Sequence, residues 1–60
     1  MTITFEEFCS RPFDFVGAHV FFCFSGYAEE EFFITIEDVE YCMSFYAALG
    51  CEEVYVVNEQ

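Results

Sequence analysis

The chain has 60 residues, with 12 Asp plus Glu, one Arg (Arg11), no Lys, one His (His19) and a formal net charge of −11. That balance excludes direct binding of nucleic acid or of an anionic membrane, both of which draw on clustered Lys and Arg. A hydrophobic content of 57% with positive mean hydropathy excludes a disordered acidic tail, which lacks the apolar residues to build a core.

Residues 1–60 read as one small domain. A chain this short buries only about 60% of its unfolded surface, so its core is marginal. The 10 Phe and 4 Tyr compensate with a large apolar area per residue. Chains of this size often gain stability by dimerising or by binding a partner, so a homodimer is among the expected states.

In chain order, Met1 to Ile3 are expected to fray. Thr4 and Glu7 have the spacing of a capping box, with Ile3 and Phe8 in staple positions. A short helix follows from Phe5 to about Ser10, and Pro12 ends it. Phe5, Phe8 and Cys9 share one face, and Glu6 and Glu7 point outward. Glu7 and Arg11 stand in the favourable order for a helical ion pair. Phe13 to Gly17 reads as irregular, with Asp14 exposed between two aromatics.

Ala18 to Ser25 reads as a strand rich in Val and Phe. Val20, Phe22 and Phe24 form one face; His19, Phe21, Cys23 and Ser25 form the other. Both are apolar, which predicts a central strand covered on both sides. Gly26, Tyr27 and Ala28 make a short turn. Glu29, Glu30 and Glu31 then lead into a second strand, FFITI, completing a hairpin. Phe32, Ile34 and Ile36 face one way; Glu31, Phe33 and Thr35 face the other.

Thr35 and Asp38 open the main helix with a capping box in which Asp replaces the usual Glu or Gln, and Ile34 and Val39 are placed for a staple. Ile36, Val39, Met43 and Tyr46 recur at helical spacing, with Cys42, Ala47 and Leu49 beside them. Gly50 sits where a left-handed residue ends a helix. A third strand runs from about Cys51 to Val57, alternating Val54 and Val56 with Tyr55 and Val57. Asn58 to Gln60 are expected to fray.

The expected fold is thus α+β, in the order α-β-β-α-β. Its three-stranded, mainly antiparallel sheet has order 2-1-3, and a right-handed crossover places the third strand beside the first. The long helix covers one face. The other keeps Phe21, Phe33, Tyr55 and Val57, with the short N-terminal helix capping part of it. Any uncovered remainder is a contact surface.

The sequence carries little chemistry. MTITFEE lacks the basic start of a signal peptide, and the uncharged run from Val16 to Ala28 is too short to span a bilayer. A cytoplasmic location is the expectation. Cys9, Cys23, Cys42 and Cys51 then read as reduced, structural thiols, without the close pairs of a zinc site. His19 is the sole general base with a pKa near neutrality, and along a strand it lies too far from Cys23 to form a nucleophile pair. Neighbouring carboxylates such as Glu6 and Glu7 point apart on regular elements, without the cleft a glycosidase pair needs. No calcium loop or phosphate-binding glycine loop is present. No catalytic residue, cofactor or metal is expected.

The acidic surface remains. It falls in clusters: Glu6 and Glu7; Glu29, Glu30 and Glu31; Glu37, Asp38 and Glu40; Glu52 and Glu53. Acids in first helical turns complement the helix dipole, which accounts for some placements. It leaves the missing Lys unexplained, because solubility ordinarily uses both signs. Glu29, Glu30, Glu31, Glu37, Asp38, Glu40, Glu52 and Glu53 are therefore read as a partner-binding surface. Carboxylates on a small rigid body can approximate the phosphate row of DNA and enter the basic groove of a nucleic-acid-binding protein complex. Long-range attraction would speed encounter, and interleaved Phe and Tyr would add hot spots. The alternative is an antitoxin or other acidic interaction module that binds a basic protein without imitating DNA.

In its length, its charge of −11, its lone Arg11 and its Phe-rich compact α/β pattern, the chain resembles small phage-encoded inhibitors of bacterial defence. The likeness is to the acidic, DNA-mimic anti-CRISPR proteins in particular, and it lies in whole-chain character. The resemblance implies a non-enzymatic inhibitor acting in the cytoplasm of an infected bacterial host. Its implied partner is a CRISPR effector complex, blocked by occupancy of the groove that takes target DNA.

Overall fold

The computed structural model describes residues 1–58. Its elements are β1 (Thr2–Thr4), α1 (Phe5–Ser10), a 3-10 turn (Pro12–Phe15), β2 (His19–Phe24), β3 (Tyr27–Phe32), α2 (Ile36–Ala48) and β4 (Glu53–Asn58). The fold is α+β, and every neighbouring pair of strands is antiparallel.

The expected three-stranded sheet has four strands, ordered β1-β4-β2-β3. Within it β2 lies between β3 and β4, as the expected order 2-1-3 had it. The addition is β1, formed by Thr2 and Ile3, both expected to fray, and by Thr4, which also caps α1. Thr2, Ile3 and Thr4 pair with Tyr55, Val54 and Glu53, and the Met1 carbonyl accepts from Val56 N–H at 2.7 Å. Three residues are too few to show alternation. What holds them is Ile3, buried beside β4.

Both helices are closed by their caps. In α1 the Thr4 hydroxyl accepts from Glu7 N–H at 2.9 Å. The Glu7 carboxylate turns instead to Arg11, 3.1 Å away, and Phe5 N–H is taken by the Glu52 carbonyl at 2.8 Å. In α2 the capping box of Thr35 and Asp38 is complete. Its C-terminus is a Schellman motif: Gly50, at φ +79°, donates to the Ala47 carbonyl and Cys51 to the Tyr46 carbonyl, both at 3.0 Å. The expected staple at its start is not used, since Ile34 is 80% exposed.

The hairpin starts earlier than expected. Its turn is Ser25–Gly26, with Gly26 at φ +87°, and Phe24 pairs directly with Tyr27. The glutamate triplet therefore lies inside β3 rather than ahead of it. Glu is a poor strand former, but the short turn fixes the register and β3 is an edge strand, where charge deters edge-to-edge association. Of FFITI only Phe32 is in a strand, as the last residue of β3. Phe33 ends the ladder by bonding to Gly17 and Ala18 and turns into the core at 3% exposure, while Phe32 faces out.

The core lies on one side of the sheet. Val20, Phe22, Val54 and Val56 point there, as do Phe8 of α1, Phe15, Phe33 and Val39, Cys42 and Tyr46 of α2. Phe8 packs at 4.7 Å from Phe15 and 5.3 Å from Phe22, and Tyr46 stacks on Phe22 at 4.0 Å. The first helix thus joins the second on the same face and does not cap the opposite one. Contrary to expectation, β2 is covered on one side only and Phe33 is not on the open face. β1 and the Phe5–Glu52 bond fasten the start of α1 beside β4, which directs Phe8 inward. The open face carries His19, Phe21, Tyr55, Phe32 and Val57, half-buried or exposed.

Candidate acidic interface

The three glutamates of β3 do not act alike. Glu29 and Glu31 stand opposite Phe22 and Val20, on the helix side, and Glu30 stands opposite Phe21, on the open side. Glu31 accepts from Tyr46 Oη at 2.6 Å. Burial first, then this bond, pushes the Tyr46 phenol far above its ordinary range. Glu30 lies 2.7 Å from His19 Nε2, and the His19 ring stacks on Phe32 at 4.0 Å.

The helix α2 brings Asp38 of the next cluster to the same edge. Glu37 and Glu40 are exposed. Asp38 accepts from Thr35 N–H and Ile34 N–H through one carboxylate oxygen, each at 3.0 Å. Those bonds, Thr35 first, hold its carboxyl below the usual range. Between β3 and α2 lies a cleft of about 290 Å³ with Glu31 and Asp38 both on its lining. The buried Cys42 thiol beneath is pushed up to about 11, by burial and then by the charges of Glu31 and Asp38. Two clusters distant in sequence therefore act on one sulfur.

Glu52 and Glu53 lie elsewhere. They line a shallow depression of about 560 Å³ with Cys23, Phe24, Ser25 and Gly50. Glu53 pairs with Thr4 and Cys23, three residues along the sheet from Glu31 and two strands across, on the order of 10 Å in each direction. Of the eight expected site residues, the fold brings Glu31 and Asp38 together at the cleft, with Glu29 on the same side of β3, while Glu37 and Glu40 are exposed on α2, Glu40 on the opposite flank of the helix from Asp38. It turns Glu30 to the open face and leaves Glu52 and Glu53 apart.

The acids of α1 are placed differently again. The Arg11 guanidinium is 3.1 Å from Glu7 and 3.4 Å from Asp14, and it lies 4.9 Å from the centre of the Phe15 ring.

Sequence reasoning missed the aromatics of the acidic edge. Tyr41 and Phe45 are exposed on α2 with parallel rings 5.9 Å apart. Their four-residue spacing, continued by Leu49, was the available signal: an apolar stripe on the side of the helix that does not face the core.

Among the described residues, no helix is long and apolar enough to cross a membrane, and no group of three or more His, Cys, Asp or Glu could hold a metal ion. The four cysteines are free thiols. Comparison of the chain with protein-family models, with curated proteins and with solved structures yields no match.

Proposed function

We propose that the protein is a non-enzymatic inhibitor whose acidic edge enters the nucleic-acid-binding groove of a bacterial defence complex and excludes target DNA. In keeping with the resemblance, a CRISPR effector is the favoured target, and the compartment is the cytoplasm of the infected host. The observation that carries this reading is the edge formed by β3 and α2. Glu31 and Asp38 share its cleft, Glu29 stands on the same side of β3, and the basic groups of the described residues are engaged elsewhere: Arg11 with Glu7 and Asp14, the N-terminal ammonium with the Val56 carbonyl and His19 with Glu30. Repulsion within such an edge lowers stability, and a cationic partner would relieve it. The longest dimension of the molecule is 27 Å, the length of about eight base pairs of duplex. A duplex of that length carries about sixteen phosphates.

The test is capture of CRISPR effector complexes from bacterial lysate on the immobilised protein, followed by a salt gradient and by challenge with duplex DNA. Retention at about 50 mM salt, release by about 300 mM and displacement by DNA are expected. Reversing Glu29, Glu37 and Glu40 to Lys should abolish capture, while reversing Glu6 and Glu7 should leave it. Asp38 is omitted because its carboxylate caps α2. A complex that holds this protein and DNA together would defeat the mimic and favour the acidic module or antitoxin.

A further inference from the structure

We infer that the cleft between the end of β3 and the first turns of α2 receives one arginine side chain of the partner. The inference rests on the acidic-interface reading and names the residue type that meets the edge at this point. The cleft is first of all apolar. Its floor is the buried pair Phe33 and Cys42, and its walls include the exposed side chains of Ile34 and Tyr41. Phe32, Glu31 and Asp38 complete the lining. A volume of about 290 Å³ corresponds to about ten waters of the liquid, room for one long side chain and too little for a helix.

An apolar trough beside two carboxylates suits a side chain with an aliphatic stem and a cationic head. Arginine fits better than lysine. Its planar guanidinium can lie on the Tyr41 ring and still donate to carboxylates at its edge, whereas an ammonium is a compact, strongly hydrated point charge. The bonds from Tyr46 and from the α2 cap fall on Oε2 of Glu31 and Oδ2 of Asp38, and a carboxylate accepts on both oxygens.

The chain already builds this arrangement once within itself. Arg11 lies over an aromatic ring, Phe15, between two carboxylates, Glu7 and Asp14. The cleft offers the same elements, Tyr41 with Glu31 and Asp38. A second copy of this chain would bring eleven net negative charges to the contact, and its one arginine is already engaged. The occupant is therefore a different, cationic protein.

The experiment is an NMR titration of the isotope-labelled full chain at about 10 mM salt, where screening is weak. The probes are capped Ala-Arg-Ala, Ala-Lys-Ala and the neutral citrulline analogue. The arginine peptide should shift the amides of Ile34, Tyr41 and Cys42. The lysine peptide should bind several-fold more weakly, and the citrulline peptide should leave the spectrum unchanged. Tyr41→Ala and Glu31→Gln should each weaken the arginine peptide by about fivefold, with Glu6→Gln neutral. Tyr41 is well exposed, and the side-chain amide that replaces the Glu31 carboxylate can still accept from Tyr46, so both variants should keep the wild-type amide pattern.

Shifts spread evenly over all the acidic clusters, equal response to arginine and lysine, or full affinity in Tyr41→Ala would each overturn the arginine cleft. Citrulline binding as well as arginine would overturn it too, leaving an apolar cleft without charge selection. None of these results touches the displacement by duplex DNA that decides the wider reading, so the two can fail separately.

Discussion

Phe21 and Phe22 are neighbours on one strand and meet opposite fates. Phe22 is fully buried, with Tyr46 stacked on one side of it and Phe8 edge-on. Phe21 stands among Tyr55, His19 and Glu30 on a face that no helix covers. The side chains are identical, so the difference comes from the ends of the helices. The Thr4 cap and the Phe5–Glu52 bond start α1 beside β4, and the cap at Thr35 together with the Schellman turn at Gly50 sets the span of α2. Two helices are enough to cover one side of a small sheet. The apolar face left over is available for contact with something else.

The largest expected effect tests that contrast directly. Phe22→Ala should cost about 3–5 kcal/mol, a large share of what a small domain has. It should appear as a greatly lowered urea midpoint or as loss of folding. Phe21→Ala should cost about 1 kcal/mol or less. Comparable losses at the two positions would break the comparison and mean that the open face is covered in solution. In that case the midpoint of the wild-type chain would rise with protein concentration, as it does for a dimer.

A smaller effect is expected where the core meets the acidic edge. The Tyr46 ring belongs to the core and its hydroxyl belongs to the edge, bonded to Glu31. Tyr46→Phe keeps the stacking and removes the bond. A hydrogen bond to a charged group contributes about 1.5–3 kcal/mol, and Glu31, being half exposed, keeps its access to water. The expected cost is at the low end, about 1.5 kcal/mol in urea unfolding. A neutral result would mean that the edge is held by α2 alone.

What the sequence makes legible divides along the same line. Elements with a strong local signal stand where their residues place them: the Thr4 and Thr35 caps, the helical stripe of Ile36, Val39, Met43 and Tyr46 with Cys42, the stop at Gly50, and inward Val54 and Val56, although Ala47 and Leu49, expected beside that stripe, are exposed. Features decided by tertiary pairing do not. β1 exists because Ile3 finds β4. The glutamates of β3 form a strand because a tight turn and one neighbour impose it. Phe33 leaves the alternation because Gly17 and Ala18 take its backbone. The site divides in the same way. The acids can be counted from the sequence, but the meeting of Glu31 with Asp38 depends on where β3 lies against α2. The pairing of His19 with Glu30 depends on the hairpin register. A glutamate triplet has no period that tells its three members apart.

The smallest predicted effect separates charge from shape at the acid that caps α2. Removing the hydroxyl cap with Thr35→Ala should cost about 1 kcal/mol. Asp38→Asn keeps the shape and removes the charge. The carboxyl of Asp38 is held below its ordinary value in the folded chain by the amides of Thr35 and Ile34. Its stabilising contribution is therefore fully present above the unfolded value, about 3.9, and is lost as the pH falls through the lower folded value. Acidification also weakens the repulsion among the remaining carboxylates, which by itself would stabilise the fold. That change is common to both proteins and largely cancels in their difference. The gap in urea midpoint between wild type and Asp38→Asn should accordingly be constant from pH 7 to about pH 5 and close below about pH 4. If it persists in acid, Asn fails by geometry. If it is absent at pH 7, the backbone amides of Ile34 and Thr35 are satisfied without the charge, and Asp38 is free to serve the cleft alone.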